Sequence, residues 1–96
     1  MFSVNKINDG VYSFSGPLTI HHIEDLKKTL EQFLKEKSLM LSLEEVTDID
    51  TAAIQLLVSF KQTYEKINNQ LSIQANAFVQ EAFNILGLTT LTRHAF

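Results

Sequence analysis

The chain has 96 residues, 45% of them apolar, and carries 11 acidic against 8 basic side chains for a net charge of -3. That length fits a single domain spanning residues 1–96, with a core adequate for folding but too small to enclose a deep substrate cavity. No Lys/Arg run gives the electrostatic footprint of a nucleic-acid binder. Zero cysteines exclude disulfides, thiolate catalysis and Cys-ligated zinc, and the lack of a signal-peptide pattern or of an apolar run of about 18 residues makes the cytoplasm the expected location.

In chain order, "SVNKI" and "VYSFS" are short β-prone segments separated by Asn8-Asp9-Gly10, the punctuation of a hairpin turn. The stretch "GPLTIHHIEDLKKTLEQFLKEK" sets Ile23, Leu26, Leu30, Phe33 and Leu34 at helical spacing. Glu24/Lys28 and Glu31/Lys35 fall at i,i+4 on its wet side. Residues 38–43, "SLMLSL", form a near-continuous apolar run, the pattern of a central strand covered on both faces. A second helix, residues 53–67, aligns Ala53, Leu56, Leu57, Phe60, Tyr64 and Ile67 in one stripe. "QLSIQA" then alternates Leu71 and Ile73 with Ser72 and Gln74. A last helix carries Val79, Ala82, Phe83 and Leu86 ahead of Gly87 as its C-cap, and "TTLTRHAF" is either a fraying tail or a short final element. The order is ββαβαβα. Strand-helix-strand connections imply parallel pairing through right-handed crossovers, so the fold class is α/β, a small mixed sheet with helices packed on it.

The functional interest concentrates where the third strand meets the second helix, because in open α/β sheets functional groups gather outside the carboxyl ends of strands. "EEVTDIDT" occupies that junction and reads as a loop. With Asp50 as N-cap, its carboxylate accepts a first-turn N–H, and Ile49 and Ile54 fall at the positions of a hydrophobic staple. Thr51 is then the first helical residue. Its hydroxyl stands beside free backbone N–H groups and the positive end of the helix dipole, a setting that favours anions such as phosphate. Helix capping alone also accounts for Asp50 and Thr51.

Residues 39–61, "LMLSLEEVTDIDTAAIQLLVSFK", resemble the signature of STAS domains, the family of anti-sigma-factor antagonists. Its pattern is an apolar strand, a Val three residues past the last Leu, then Asp-Ser-Ser-Gly and a Leu-rich helix; Leu43, Val46, Asp50, Thr51, Ile54, Leu56 and Leu57 fit that frame. "SGPLTIHHIEDLKKTL" is similar to the family's Gly-x-Leu loop and first helix, and "FNILGLTTL" to its closing helix end. The resemblance implies a domain that binds an anti-sigma factor that is also a serine kinase, with phosphorylation at the head of the second helix breaking the complex. In sporulation-type members the acceptor is the second hydroxyl of the pair, where this chain has Ala52; Thr51 matches the first, Ala53 replaces the Gly, and Ser42 stands where many members have Asp. Thr51 is therefore the phosphorylation candidate, and Asp48, Asp50, Thr51, Ala52 and Gln55 are the candidate partner-binding residues. "DTAAIQLLVSFK" is similar to an Asp-Thr-Ala-Gly variant found in two other branches. One is the cytosolic subunit of a phospholipid-transport ABC system. The other is a group of stand-alone proteins associated with chemotaxis kinases, whose Gln after the apolar residue matches Gln55. The partner classes implied are thus an anti-sigma factor or serine kinase, a chemotaxis signalling protein, or an ABC ATPase.

The other polar groups suggest no chemistry. His21 and His22 are sequence neighbours, which point about 100° apart on a helix, and neither has a Glu or His four residues on, where His21 has Asp25 and His22 has Leu26, so no metal is expected. His94 has no visible partner. Asp48 and Asp50 could pair for acid–base work, yet no nucleophile or matched base accompanies them, so the expectation is no enzyme and no cofactor. The phenylalanines fall mainly on faces assigned to the core.

Overall fold

A computed structural model describes residues 1–68 and 71–85. Strands β1 (Ser3–Asn8) and β2 (Val11–Leu18) form the expected antiparallel hairpin, closed by Asp9 and Gly10. Gly10 has φ of +72°, which disfavours residues with a Cβ. Space excludes one as well: a Cβ there would lie 2.5 Å from the Ser38 carbonyl oxygen. This close approach lets the Gly10 carbonyl accept the Met40 N–H at 2.7 Å, docking the turn onto the strand that follows the first helix.

Helix α1 (Ile23–Gln32) is shorter than its periodicity suggests, with a 3-10 turn at each end, Ile20–His22 and Phe33–Lys35. Its buried residues are Leu26 and Leu30, with Phe33 just beyond, as the spacing predicts. The residues before it belong elsewhere: Gly16, Pro17 and Leu18 continue β2. Pro17 is tolerated in a strand here because it sits at a register shift. Neither Glu24/Lys28 nor Glu31/Lys35 closes as an ion pair; among the described residues the closed i,i+4 pair is Lys61–Glu65 at 2.6 Å.

Strand β3 runs from Leu39 to Ile49, so most of the junction expected as a loop is strand. Its register against β2 explains the difference. Ser13 faces Ser42 while Ser15 faces Glu45, and Gly16 faces Val46 while Pro17 faces Asp48. Each irregularity inserts an extra residue on β3. The buried positions Leu39, Leu41, Leu43, Val46 and Ile49 are therefore two apart at first and three apart afterwards.

Helix α2 (Thr51–Asn68), strand β4 (Leu71–Ala75) and helix α3 (Ala77–Ile85) complete the order. The sheet order is β1-β2-β3-β4, with β2, β3 and β4 mutually parallel, so the fold is the expected mixed α/β sheet. Leu71 and Ile73 are buried and alternate with Ser72 and Gln74. Val79 and Phe83 anchor α3; Leu86, Gly87 and His94 lie outside the described residues.

Among the described residues the buried hydrophobic side chains join one cluster, containing the Leu39/Leu41/Leu43 face of β3 together with Leu57, Phe60 and Tyr64 of α2. Met40 and Ser42 on the other face of β3 are only half-buried, so β3 is covered on one face rather than two. Ile67, placed in the core stripe of α2 by its spacing, is 62% exposed, because the helix runs past the core before its last turn. A polar clip closes the end of the core beside Glu36. The Tyr12 hydroxyl donates to the Glu36 carboxylate at 2.7 Å, and the buried Tyr64 hydroxyl donates to the Glu36 carbonyl. Tyr12 also stacks on Phe33 with ring centroids 4.1 Å apart.

Candidate functional site

The start of α2 is organised by Asp50. Its carbonyl accepts the Ile54 N–H at 3.0 Å, the first bond of the helix, and its Oδ1 accepts the Ala53 N–H at 3.0 Å. This is the N-cap geometry that the sequence implies. Ile49 and Ile54, on either side of the cap, are both buried. The second carboxylate oxygen does something the sequence does not announce. Oδ2 accepts the Ile20 N–H at 2.7 Å, while the Asp50 N–H donates to the Leu18 carbonyl at 3.2 Å. One half-buried residue, through its backbone N–H and its carboxylate, thus joins the end of β2, the turn before α1 and the start of α2. Both oxygens of Asp50 are engaged inside the fold.

Thr51, the first residue of α2, is exposed, and its hydroxyl has no partner among the described residues. With Ala53 and Ile54 N–H bound to Asp50, the N–H groups of Thr51 and Ala52 have no intrahelical acceptor. Ala52 is half-buried, and Gln55, one turn on from Thr51, is exposed. Asp48 is exposed, and its Oδ1 accepts the N–H of Ile49 at 2.9 Å. Of the sequence-selected residues, Thr51 and Gln55 therefore lie on one exposed stripe, Ala52 borders it, Asp50 lies beneath it, and Asp48 belongs to β3.

Two residues escape the sequence reading. Ile20 is 59% exposed and is held against the α2 start by its bond to Asp50, which adds an apolar group to this surface. Asn76 caps α3 by accepting the Val79 N–H at 2.8 Å, while its Nδ2 donates to the carbonyls of Glu44 at 2.9 Å and Val46 at 3.1 Å. Asn76 thereby secures the part of β3 that extends beyond β4. An Asn immediately before an apolar helix was the available signal for the cap; nothing local signalled the reach to β3.

Farther along α2 a shallow cleft of about 180 Å³ opens against α1, lined by Lys27, Leu30, Leu34, Leu56, Ser59 and Phe60 among others. His21 is exposed, and His22 packs edge-on to Phe2 with ring centroids 6.3 Å apart. Among the described residues no group of three or more His, Cys, Asp or Glu is placed to hold a metal ion. No helix among them is long and apolar enough to cross a membrane.

Burial shifts one titration and hydrogen bonding another. The Glu36 carboxylate, by accepting the Tyr12 hydroxyl, holds that phenol above its ordinary value, with desolvation adding to the effect. Desolvation likewise pushes Tyr64 up, with the Glu36 charge contributing.

Comparison with curated protein sequences found no match. Among solved structures, an anti-sigma factor antagonist from Mycobacterium paratuberculosis superposes with a TM-score of 0.78 at 15% identity, covering 96% of this chain and 83% of that chain. The anti-sigma factor antagonist SpoIIAA in its unphosphorylated form gives 0.73 at 13% identity, covering 96% and 85% respectively. The phosphorylated form of SpoIIAA, a Bacillus cell-fate determinant, gives 0.69 at 12% identity, covering 96% and 88%. At these identities the likeness is one of fold. The STAS domain family model, however, matches residues 3–94, nearly the whole chain and including the capped helix start that carries the motif, and the chain belongs to the STAS domain family.

Proposed function

We propose that this chain is a cytoplasmic regulatory module that binds a protein partner in the manner of an anti-sigma-factor antagonist and performs no chemistry of its own. Thr51, Ala52 and Gln55 form the contact surface, with Asp48 beside it and Asp50 supporting it. The partner is a serine-kinase-type anti-sigma factor or a chemotaxis-associated signalling protein. The observation that carries this reading is the exposed Thr51 hydroxyl, without a hydrogen-bond partner among the described residues, at the first position of α2 on a helix start braced by Asp50. The surface is presented by the capped start of α2, where Thr51 and Gln55 are exposed and Ala52 is half-buried. Thr51 is the residue through which phosphorylation would switch binding, since Ala52 offers no acceptor. A phosphate there adds about -1.5 to -2 charges at neutral pH, which the first-turn N–H groups partly offset.

The test is a titration against a purified serine-kinase-type anti-sigma factor and against a purified chemotaxis-associated signalling protein, each from the organism that encodes this chain. Thr51→Glu is expected to weaken binding at least about tenfold, or about 1.4 kcal/mol, with the melting temperature little changed, while Thr51→Ala retains binding. Equal affinity of the native, Thr51→Glu and Thr51→Ala proteins would reject Thr51 as a switch. Binding to an ABC transport ATPase in place of either partner would replace the reading with that of a transport subunit, the alternative that the Asp-Thr-Ala motif supports.

A further inference from the structure

The 3-10 turn Ile20–His22, between β2 and α1, is lightly anchored. It buries no residue, and neither Thr19 at its head nor His22 at the head of α1 makes a side-chain cap bond. The His22 N–H donates to the Thr19 carbonyl at 2.9 Å, which closes the turn on itself without fixing it to anything else. Among the described residues, the hydrogen bond that ties the turn to another element runs from the Ile20 N–H to Asp50 Oδ2, and the ring contact that does so is that of His22 with Phe2. A segment with few buried apolar groups and an exposed anchoring bond opens locally without unfolding the rest of the domain.

We infer that Asp50 is a latch on this turn and that negative charge on Thr51 opens it, so that phosphorylation removes Ile20 from the α2 surface as well as altering Thr51 itself. The inference rests on the reading of Thr51 as the switch residue and names how that switch is transmitted.

Asp50 and Thr51 are consecutive, with Cα atoms about 3.8 Å apart. A phosphoryl dianion on Thr51 therefore lies within about one Debye length of the Asp50 carboxylate. Exposed Asp48 adds a further carboxylate two residues upstream, and among the described residues no Lys or Arg forms an ion pair with Asp50. The dianion is also drawn to the first-turn N–H groups of α2, and one of these, on Ala53, is the group that Asp50 Oδ1 accepts. The two carboxylate oxygens belong to one planar group, so turning it away from the phosphate displaces Oδ2 together with Oδ1. What then holds each partner differs. Ala53 is buried within α2, whereas Ile20 is 59% exposed in a turn with no core residue. The turn is the element that yields.

Amide exchange with water, measured by magnetisation transfer on the isotope-labelled full chain, reads the latch at the Ile20 N–H. The control is the Met40 N–H, which donates to the Gly10 carbonyl at the other end of β2. Phosphothreonine incorporated at position 51 during translation, and Thr51→Glu, are compared with the native chain and with the neutral Thr51→Gln. The charged forms should speed exchange at Ile20 about fivefold or more and leave Met40 within about twofold, and Thr51→Gln should change neither. In Asp50→Asn, whose amide carries no charge, phosphothreonine should move Ile20 exchange by less than about twofold. An Ile20 amide unmoved by phosphothreonine would overturn the proposal. So would equal acceleration at Ile20 and Met40, which is general loosening, and so would an undiminished effect in Asp50→Asn. Partner titration separates the two readings. Weakened binding by Thr51→Glu with an unmoved Ile20 amide rejects the latch and keeps the switch, while a freed Ile20 amide with unchanged partner affinity rejects the switch and keeps the latch.

Discussion

The double engagement of Asp50 yields a prediction whose size follows from its bonds. Asp50→Ala removes the α2 N-cap, a loss of about 1 kcal/mol, and also the charge-assisted bond to the Ile20 N–H, worth about 1.5–3 kcal/mol. Together the loss is about 3 kcal/mol, a large share of the stability of a domain this size. Asp50→Asn separates the two contributions. One amide oxygen can still accept the Ala53 N–H or the Ile20 N–H, but the amide nitrogen cannot accept the other. One donor loses its partner, at a cost of about 1–2 kcal/mol. Equilibrium urea unfolding, monitored by circular dichroism and extrapolated linearly to water, gives both values, and the midpoint should fall with little change in slope. The expected ranking is native, then Asn, then Ala. Asparagine within about 0.5 kcal/mol of the native protein would refute the two-oxygen account, and alanine costing no more than asparagine would refute the charge-assisted bond to Ile20.

Gly10→Ala should destabilise by at least about 2 kcal/mol, since it combines a positive φ with a Cβ driven against the Ser38 carbonyl, and thermal melts would measure it. Asn76→Ala should cost about 2 kcal/mol through loss of the α3 cap and of the donors to Glu44 and Val46, and amide exchange should accelerate in the extended part of β3. Tyr12 and Tyr64 both have raised folded-state values, so the folded chain holds these protons more tightly than the unfolded chain does. Their contribution is complete below the ordinary phenol range near about 10 and is lost as pH rises through the raised folded values. Alkaline titration followed by phenolate absorbance should therefore show ionisation coupled to unfolding, with a shallower stability loss in Tyr12→Phe and Tyr64→Phe.

The sequence alone determined what depends on neighbours along the chain. The Asp9-Gly10 turn needs a residue tolerant of positive φ at that place. Likewise the stripes Leu26/Leu30/Phe33 and Leu57/Phe60/Tyr64 follow helical spacing, and Asp50 reaches the N–H of Ala53 within a single turn. The STAS motif is likewise a local run of residues, which is why the family was recognisable from it. Tertiary structure decided whatever depends on a partner far along the chain. The extension of β3 through Ile49 was hidden because two bulges against β2 change its buried spacing from two to three, and a strand is recognised in sequence by alternation. Coverage of one sheet face rather than two was equally hidden, because an apolar run reports affinity for burial without saying which layers supply it. The second oxygen of Asp50 found Ile20, and Asn76 found Glu44 and Val46, each 30 or more residues away in sequence. Those bonds exist only once the parallel strands have brought the ends of separate elements to one edge of the sheet, and no spacing rule within the chain encodes that meeting.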